Sequence, residues 1–280
     1  MPAYFKIIHI GLHKTGTTYL QNHWFSKLRN ILYIHGNHFF RNWDDRAGKQ
    51  NDNLLISYEG FSGLPWNKEW KKGIPNNHHW LNSFDDNIKL LNSVFSNAII
   101  IVVFRKHGNL LTSLYKQYIQ GGGVLKFSLF YGELGVLRPK DLSFRHRINL
   151  LKENFDNVYF LNYEKYLQIG DDYMKSFFEK ELRIDIIDDD NKRKSKSNYS
   201  ISGSKIYLLR RINTYYQRLP NRFRTIFRYF QLSPRDFLQN HLRFWRPKDP
   251  PYFEEVSKKI DADFADDWAY FESHQWEYKP

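Results

Sequence analysis

Short apolar runs without alternation punctuate the first 160 residues. Residues 4–10 (YFKIIHI), 54–58 (LLISY), 98–104 (AIIIVVF) and 158–161 (VYFL) are rich in β-branched and aromatic side chains. A run of that length without the period of two belongs to a strand buried on both faces. Between the runs, apolar residues recur every three to four positions over 80–95, 109–120, 144–154 and 172–182, and another helical pattern opens at Thr17 (TTYLQNHWFSKL). Each such stretch carries one apolar stripe, the mark of a helix lying on a core. Strand and helix in alternation predict an α/β fold with a central, mainly parallel sheet flanked by helices. Residues 185–204 (DIIDDDNKRKSKSNYSISGS) are polar and unperiodic and predict a linker, and the last third reads as helical. The expectation is one domain over 1–280, with an α/β core at 4–200 and a helical C-terminal extension at 201–280. No internal repeat is seen.

Composition narrows the chemistry more than the fold. With 280 residues, 41% hydrophobic and 18% aromatic, the chain can bury a substantial core. It has no cysteine, which excludes disulfides, thiolate metal sites and a cysteine nucleophile. The opening MPAYFKIIHIGLHKTG lacks the features of a secretory signal, and IIIVVF is far too short to span a bilayer, so a cytoplasmic protein is expected.

The net charge of +12 points to a polyanionic partner. Residues 203–248 hold eleven Lys or Arg against one acid, Asp236, a net +10 in one stretch. There Arg210, Arg211, Arg218, Arg222, Arg224 and Arg228 interleave with Tyr215, Tyr216, Phe223, Phe227 and Tyr229. That pattern suits an anionic glycan, a lipid head group or peripheral contact with a membrane, and equally a solvated helix face.

Two segments carry chemistry. After the first strand comes GLHKTGTT, Gly11 to Thr18, between a strand and a helix. Gly11 and Gly16 let the backbone approach a ligand, the helix start favours an anion, and Thr17 and Thr18 add hydroxyl donors. Against the Walker A pattern the glycines and Thr18 fit, but Thr17 stands where the lysine belongs and Lys14 lies three positions earlier. At the end of the third run, where a Mg²⁺-dependent NTPase would be expected to place an acid, stands Arg105, and Ser113 follows eight residues later on the next helix. A forked guanidinium and a hydroxyl suit a second phosphate.

Together these segments resemble the PAPS-dependent sulfotransferases, closest to the bacterial carbohydrate-type members. Gly11, Lys14, Thr15, Gly16, Thr17 and Thr18 match the family's 5′-phosphosulfate loop, with His13 inside it. Arg105 and Ser113 match its 3′-phosphate element. KSKSNYSIS, at 194–202, resembles a later segment that closes over the nucleotide, through Lys196, Asn198 and Ser200. The resemblance covers residues 4 to about 215. It implies a three-layer P-loop-like fold, PAPS as co-substrate, no metal, and Lys14 stabilising the leaving phosphate.

It also implies a catalytic glutamate after the second of the apolar runs, which here is Glu59, with His13, His107 and His35 as rival bases. The acceptor would be met by the loops at 60–79 and 121–140 and by the basic last third. Their tryptophans, tyrosines and lysines suit a saccharide, anionic or lipid-linked forms included.

Other readings meet parts of the sequence. A P-loop kinase or NTPase is opposed by the displaced lysine and by Arg105, and a nucleic-acid-binding protein by the lack of any accompanying signature. A protein that binds the nucleotide without turnover ranks below these. The HHW at 78–80 makes no zinc site, because adjacent helix residues point apart and no third ligand is spaced with them. The glycines 121–123 predict a helix stop and a mobile loop near the acceptor. The closing DADFADDWAYFESHQWEY predicts a packed terminal helix.

Overall fold

The computed structural model describes residues 5–36, 53–74, 79–187, 203–229 and 251–280. Its centre is a five-stranded parallel sheet in the order β2-β3-β1-β4-β5. The strands are β1 (Lys6–Ile10), β2 (Leu32–His35), β3 (Leu54–Tyr58), β4 (Ile99–Phe104) and β5 (Asn157–Asn162). Four of them are the apolar runs. The sequence reading missed β2, a four-residue edge strand whose Leu32 is exposed and Ile34 buried, too short to declare a period.

Helices cover both faces. They are α1 (Thr17–His23), α2 (Trp80–Phe95), α3 (His107–Gln120), α4 (Phe144–Asn154), α5 (Tyr163–Ile169) and α6 (Asp171–Ser176), then α7 (Gly203–Arg218), α8 (Asn221–Tyr229), α9 (Pro251–Asp263) and α10 (Ala265–Glu272). Two expectations need correction. The pattern opening at Thr17 does not run on to Leu28: α1 stops at His23 and a 3₁₀ turn, Phe25–Lys27, follows, burying Trp24, Phe25 and Leu28. The stretch 172–182 is not one α-helix either, since α6 passes into a π-helical turn, Phe177–Glu181, that buries both Phe177 and Phe178. The helix α5 was not anticipated, although Asn162 marks its start by accepting from the amides of Glu164 and Lys165.

The unalternated strands are explained by the layers. Ile8, Ile10, Ile56, Ile100 and Val102 pack on one face with residues of α2, α3 and α4, and Ile7, Leu55, Ile101, Val103 and Leu161 on the other with α1 and α6. Each fully buried isoleucine or valine contributes roughly 1.5–3 kcal/mol. The C-terminal helices join the first layer through Ile206, Leu209, Phe253, Ile260 and Phe271.

Two carboxylates link that extension to the core, Asp261 by accepting from the Gly108 amide at 2.8 Å and Asp267 by a larger set of bonds. Asp267 accepts from the amides of Phe144 and Arg145 at 2.6 and 2.9 Å, which caps α4, and from His107 Nε2 at 3.0 Å. Burial pushes its carboxyl up, but the His107 hydrogen bond and the two amides outweigh it and hold the group below its ordinary value. After β5, the last residues also return to the sheet, where Trp276 is buried and its amide donates to Phe160 O.

Arg147 of α4 is fully buried. It donates to the carbonyls of Ser143 (2.9 Å) and Asp141 (2.6 Å) and lies over the rings of Trp80 (4.7 Å) and Phe84 (5.2 Å). Desolvation pulls it down to about 10, still charged at neutral pH. Replacing it by alanine takes the Arg147 donors from the buried Asp141 carbonyl and the half-buried Ser143 carbonyl and opens a cavity beside Trp80. The expected cost is about 3–5 kcal/mol, read as a lowered urea midpoint at unchanged m-value.

Candidate active site

The parallel order puts every strand's carboxyl end on one edge, and β1 lies between β3 and β4, where the chain reverses its direction of travel across the sheet. Ligands of open α/β sheets gather at such a point. The loop after β1 fills it. Gly11 donates its amide to Tyr58 O, and a Cβ there would lie 2.8 Å from the Thr17 side chain. Gly16 has φ +83, which favours glycine, and a Cβ on it would meet the Tyr163 ring at 3.0 Å.

Between them Lys14 holds the left-handed region at φ +65, a cost of roughly 1–2 kcal/mol for a residue with a side chain. Thr15 Oγ1 donates to Leu12 O at 2.7 Å, and Thr17 Oγ1 to the same carbonyl at 3.4 Å. In the structure both hydroxyls are turned to the loop's own Leu12 carbonyl. Thr18 is exposed. The amides of Gly16, Thr17 and Thr18 open α1 without an intrahelical acceptor, and no side chain caps it.

Beside the loop stands Glu59, at the end of β3, with its side chain 39% exposed. Its Oε2 is 3.5 Å from His13 Nδ1, at the outer edge of hydrogen-bond reach. The other ring nitrogen, Nε2, donates to Gly63 O at 3.0 Å. Burial raises the Glu59 carboxyl, but His13 and Lys14 more than offset it and leave the group below the usual carboxylate value.

Ser62 ties the two walls together, with its Oγ 2.8 Å from Glu59 O and 3.1 Å from Gly11 O. Trp80 Nε1 in turn donates to Ser62 O at 2.6 Å, so the buried Arg147 and Trp80 stand directly behind the site.

The third wall comes from β4. Arg105 Nη1 donates to Lys14 O at 2.9 Å, and its guanidinium lies 4.9 Å from the Tyr163 ring centre. Its Nε is buried with no partner among the described residues. The loop and Arg105, separate in sequence by about ninety residues, are therefore joined directly. Ser113 is half-buried and makes no hydrogen bond to Arg105; the spacing 113, 117, 120 sets it on the stripe of α3 that carries Gln117 and Gln120.

Of the rival bases, His107 is 1% exposed, bonded to Asp267 and stacked between Phe144 and Phe264, which removes it from any acceptor. His35 ends the edge strand β2, beyond β3. Lys196, Asn198, Ser200 and His78 lie outside the described residues.

A cleft of about 520 Å³ opens from His13 and Lys14 toward Gly121, with Trp66, Lys68 and Lys71 along one side and Gln117 and Gln120 along the other. Gly121 does cap α3, but the glycine loop is fastened rather than loose. Asn213 Nδ2 donates to Ile119 O and Gly123 O, and Gln217 Nε2 to Gly122 O and Lys71 O. Part of the basic stretch thus serves to hold this loop, while Tyr215, Phe223 and Tyr229 remain exposed.

The sequence reading also missed a polar cluster under the loop. His9 Nδ1 is 2.8 Å from Ser57 Oγ, which accepts from Gln21 Nε2 at 3.0 Å, linking β1, β3 and α1. Burial pulls His9 down to about 3, so it is neutral. A histidine and a serine inside apolar runs were the available signal, since a buried polar group needs a partner.

Among the described residues no group of three His, Cys, Asp or Glu is placed to hold a metal, and no helix is long and apolar enough to cross a membrane. No protein-family model matches the chain, and no curated protein matches it. Among solved structures it is similar to the crystal structure of mouse sulfotransferase SULT7A1 complexed with PAP, at 14% identity and a TM-score of 0.37, over 78% of this chain and 68% of that one. A likeness of that size says nothing about chemistry.

Proposed function

We propose that this protein is a PAPS-dependent sulfotransferase that moves the sulfuryl group to a hydroxyl of a saccharide. The observation that carries the reading is the union of Arg105 with the glycine loop, opposite a carboxylate. Arg105 reaches the Lys14 carbonyl and keeps a buried, unpartnered Nε, while the end of β4 offers no acid for Mg²⁺. A donor with phosphate at two places fits this arrangement, the loop amides and Lys14 taking the phosphosulfate and Arg105 the other phosphate, with Ser113, Lys196, Asn198 and Ser200 assigned to the same ligand. PAPS supplies an activated sulfuryl group on a phosphate leaving group.

The protein's own part is electrostatic and positional. Glu59 accepts the proton of the attacking hydroxyl as the new S–O bond forms. The electrons of the breaking S–O bond pass to the phosphate oxygen, where the Lys14 ammonium offsets the growing charge. The sulfuryl group changes hands, the proton rests on Glu59, and no redox partner is required.

Calorimetric titration with PAP in the absence of Mg²⁺ tests the donor assignment. Arg105→Ala is expected to weaken PAP by roughly 10- to 100-fold, the loss of a charge-assisted fork of about 1.5–3 kcal/mol. Binding of ATP that depends on Mg²⁺, with none of PAP, would replace this reading by a phosphotransferase.

A further inference from the structure

The cleft that leaves Lys14 has a built floor and a one-sided charge. Its floor is the short helix Lys68–Lys71, capped by Asn67, whose Oδ1 accepts from the Trp70 amide at 3.2 Å. Trp70 is buried, and its carbonyl accepts from Tyr118 OH at 2.9 Å. Gln217 holds the Lys71 carbonyl at 3.1 Å, and the Lys71 side chain passes over Gly121, its Cε 3.7 Å from where a Cβ would stand. Among the described residues Lys68 and Lys71 form no ion pair and no Asp or Glu lines the cleft. Trp66 lines the same cleft, half-buried, its ring set edge-on to Tyr118 and Phe130.

From this we infer that the acceptor is a carboxylate-bearing saccharide, a uronic acid or its like, whose carboxylate is held by Lys68 and Lys71 while its ring rests against Trp66. The inference depends on the sulfotransferase reading and extends it from the donor to the acceptor. A ring face supplies apolar contact for the C–H side of a sugar, and paired ammonium groups on an anchored helix add positive charge to the wall of the cleft away from Lys14. A neutral sugar would leave both lysines without an anionic partner, whereas a carboxylate on the residue next to the attacking hydroxyl would meet them. The opposite wall, with the carboxamides of Gln117 and Gln120, hydrogen-bonds hydroxyls without charge preference.

The test is binding, free of turnover, in the presence of saturating PAP. Oligosaccharides containing glucuronic, galacturonic or mannuronic acid are titrated beside the same chains after reduction of the carboxyl groups to alcohols. At least one uronic-acid chain is expected to bind roughly tenfold more tightly than its reduced form. Lys68→Gln/Lys71→Gln is expected to remove that advantage, about 1.4 kcal/mol, while leaving PAP affinity and the reduced chains unchanged. The preference is expected to shrink as salt rises. Equal binding of every matched pair, no binding of any uronic-acid chain, or a preference that survives the double variant overturns the inference. PAP titrated alone keeps the two readings apart, because failure there removes the donor assignment, whereas normal PAP binding with no uronic-acid preference removes the acceptor assignment only.

Discussion

Lys14→Met is expected to lower kcat for sulfuryl transfer by roughly 10²–10³-fold, the loss seen when one preorganised group is removed from a developing negative charge, while PAP affinity falls less than tenfold. The substitution isolates the ammonium group. Methionine keeps an unbranched stem and tolerates the left-handed backbone no worse than lysine, and the loop's link to Arg105 runs through the Lys14 carbonyl, which the exchange leaves in place. Single-turnover measurement with labelled PAPS separates chemistry from release. A loss confined to KM would assign Lys14 to ground-state binding and place transition-state stabilisation elsewhere in the loop.

Glu59→Gln should cost about 10²–10³ in kcat, the lower part of the range for general bases, because a carboxyl held below its ordinary value is a weak base. The same depression fixes the pH dependence. The active form is the deprotonated one, so its contribution is complete above the folded-state value and is lost only as pH falls through that value, below the ordinary carboxylate range. Activity is therefore expected to be flat between pH 6 and 8 as far as this group is concerned. An acid limb near pH 6.5 that persists in Glu59→Gln would transfer the role to a histidine, and His13, at the cleft and 3.5 Å from Glu59, is the one so placed.

Much of this arrangement was legible before any coordinates, for reasons particular to each element. The strands β1, β3, β4 and β5 declared themselves because burial on both faces demands unbroken apolar runs. The helices α2 and α4 carried clean stripes, and their observed ends coincide with the expected ones. Gly11 and Gly16 were readable because a loop that folds this tightly has no room for other residues. The strand β2 and the helix α5 were not readable, being four and seven residues long and stabilised by their neighbours rather than by period or propensity.

The chain's local chemistry thus specified an α/β sheet, a glycine loop after the first strand, and an arginine where an acid would otherwise stand, since strand burial and backbone approach are written into neighbouring residues. What folding added is which distant residues meet. Arg105 reaching the Lys14 carbonyl, Glu59 facing His13, His107 withdrawn behind Asp267, and Gln217 holding the cleft floor each join segments tens of residues apart. Such pairings follow from strand order and layer packing, which depend on the whole core at once and leave no trace in a local window of sequence.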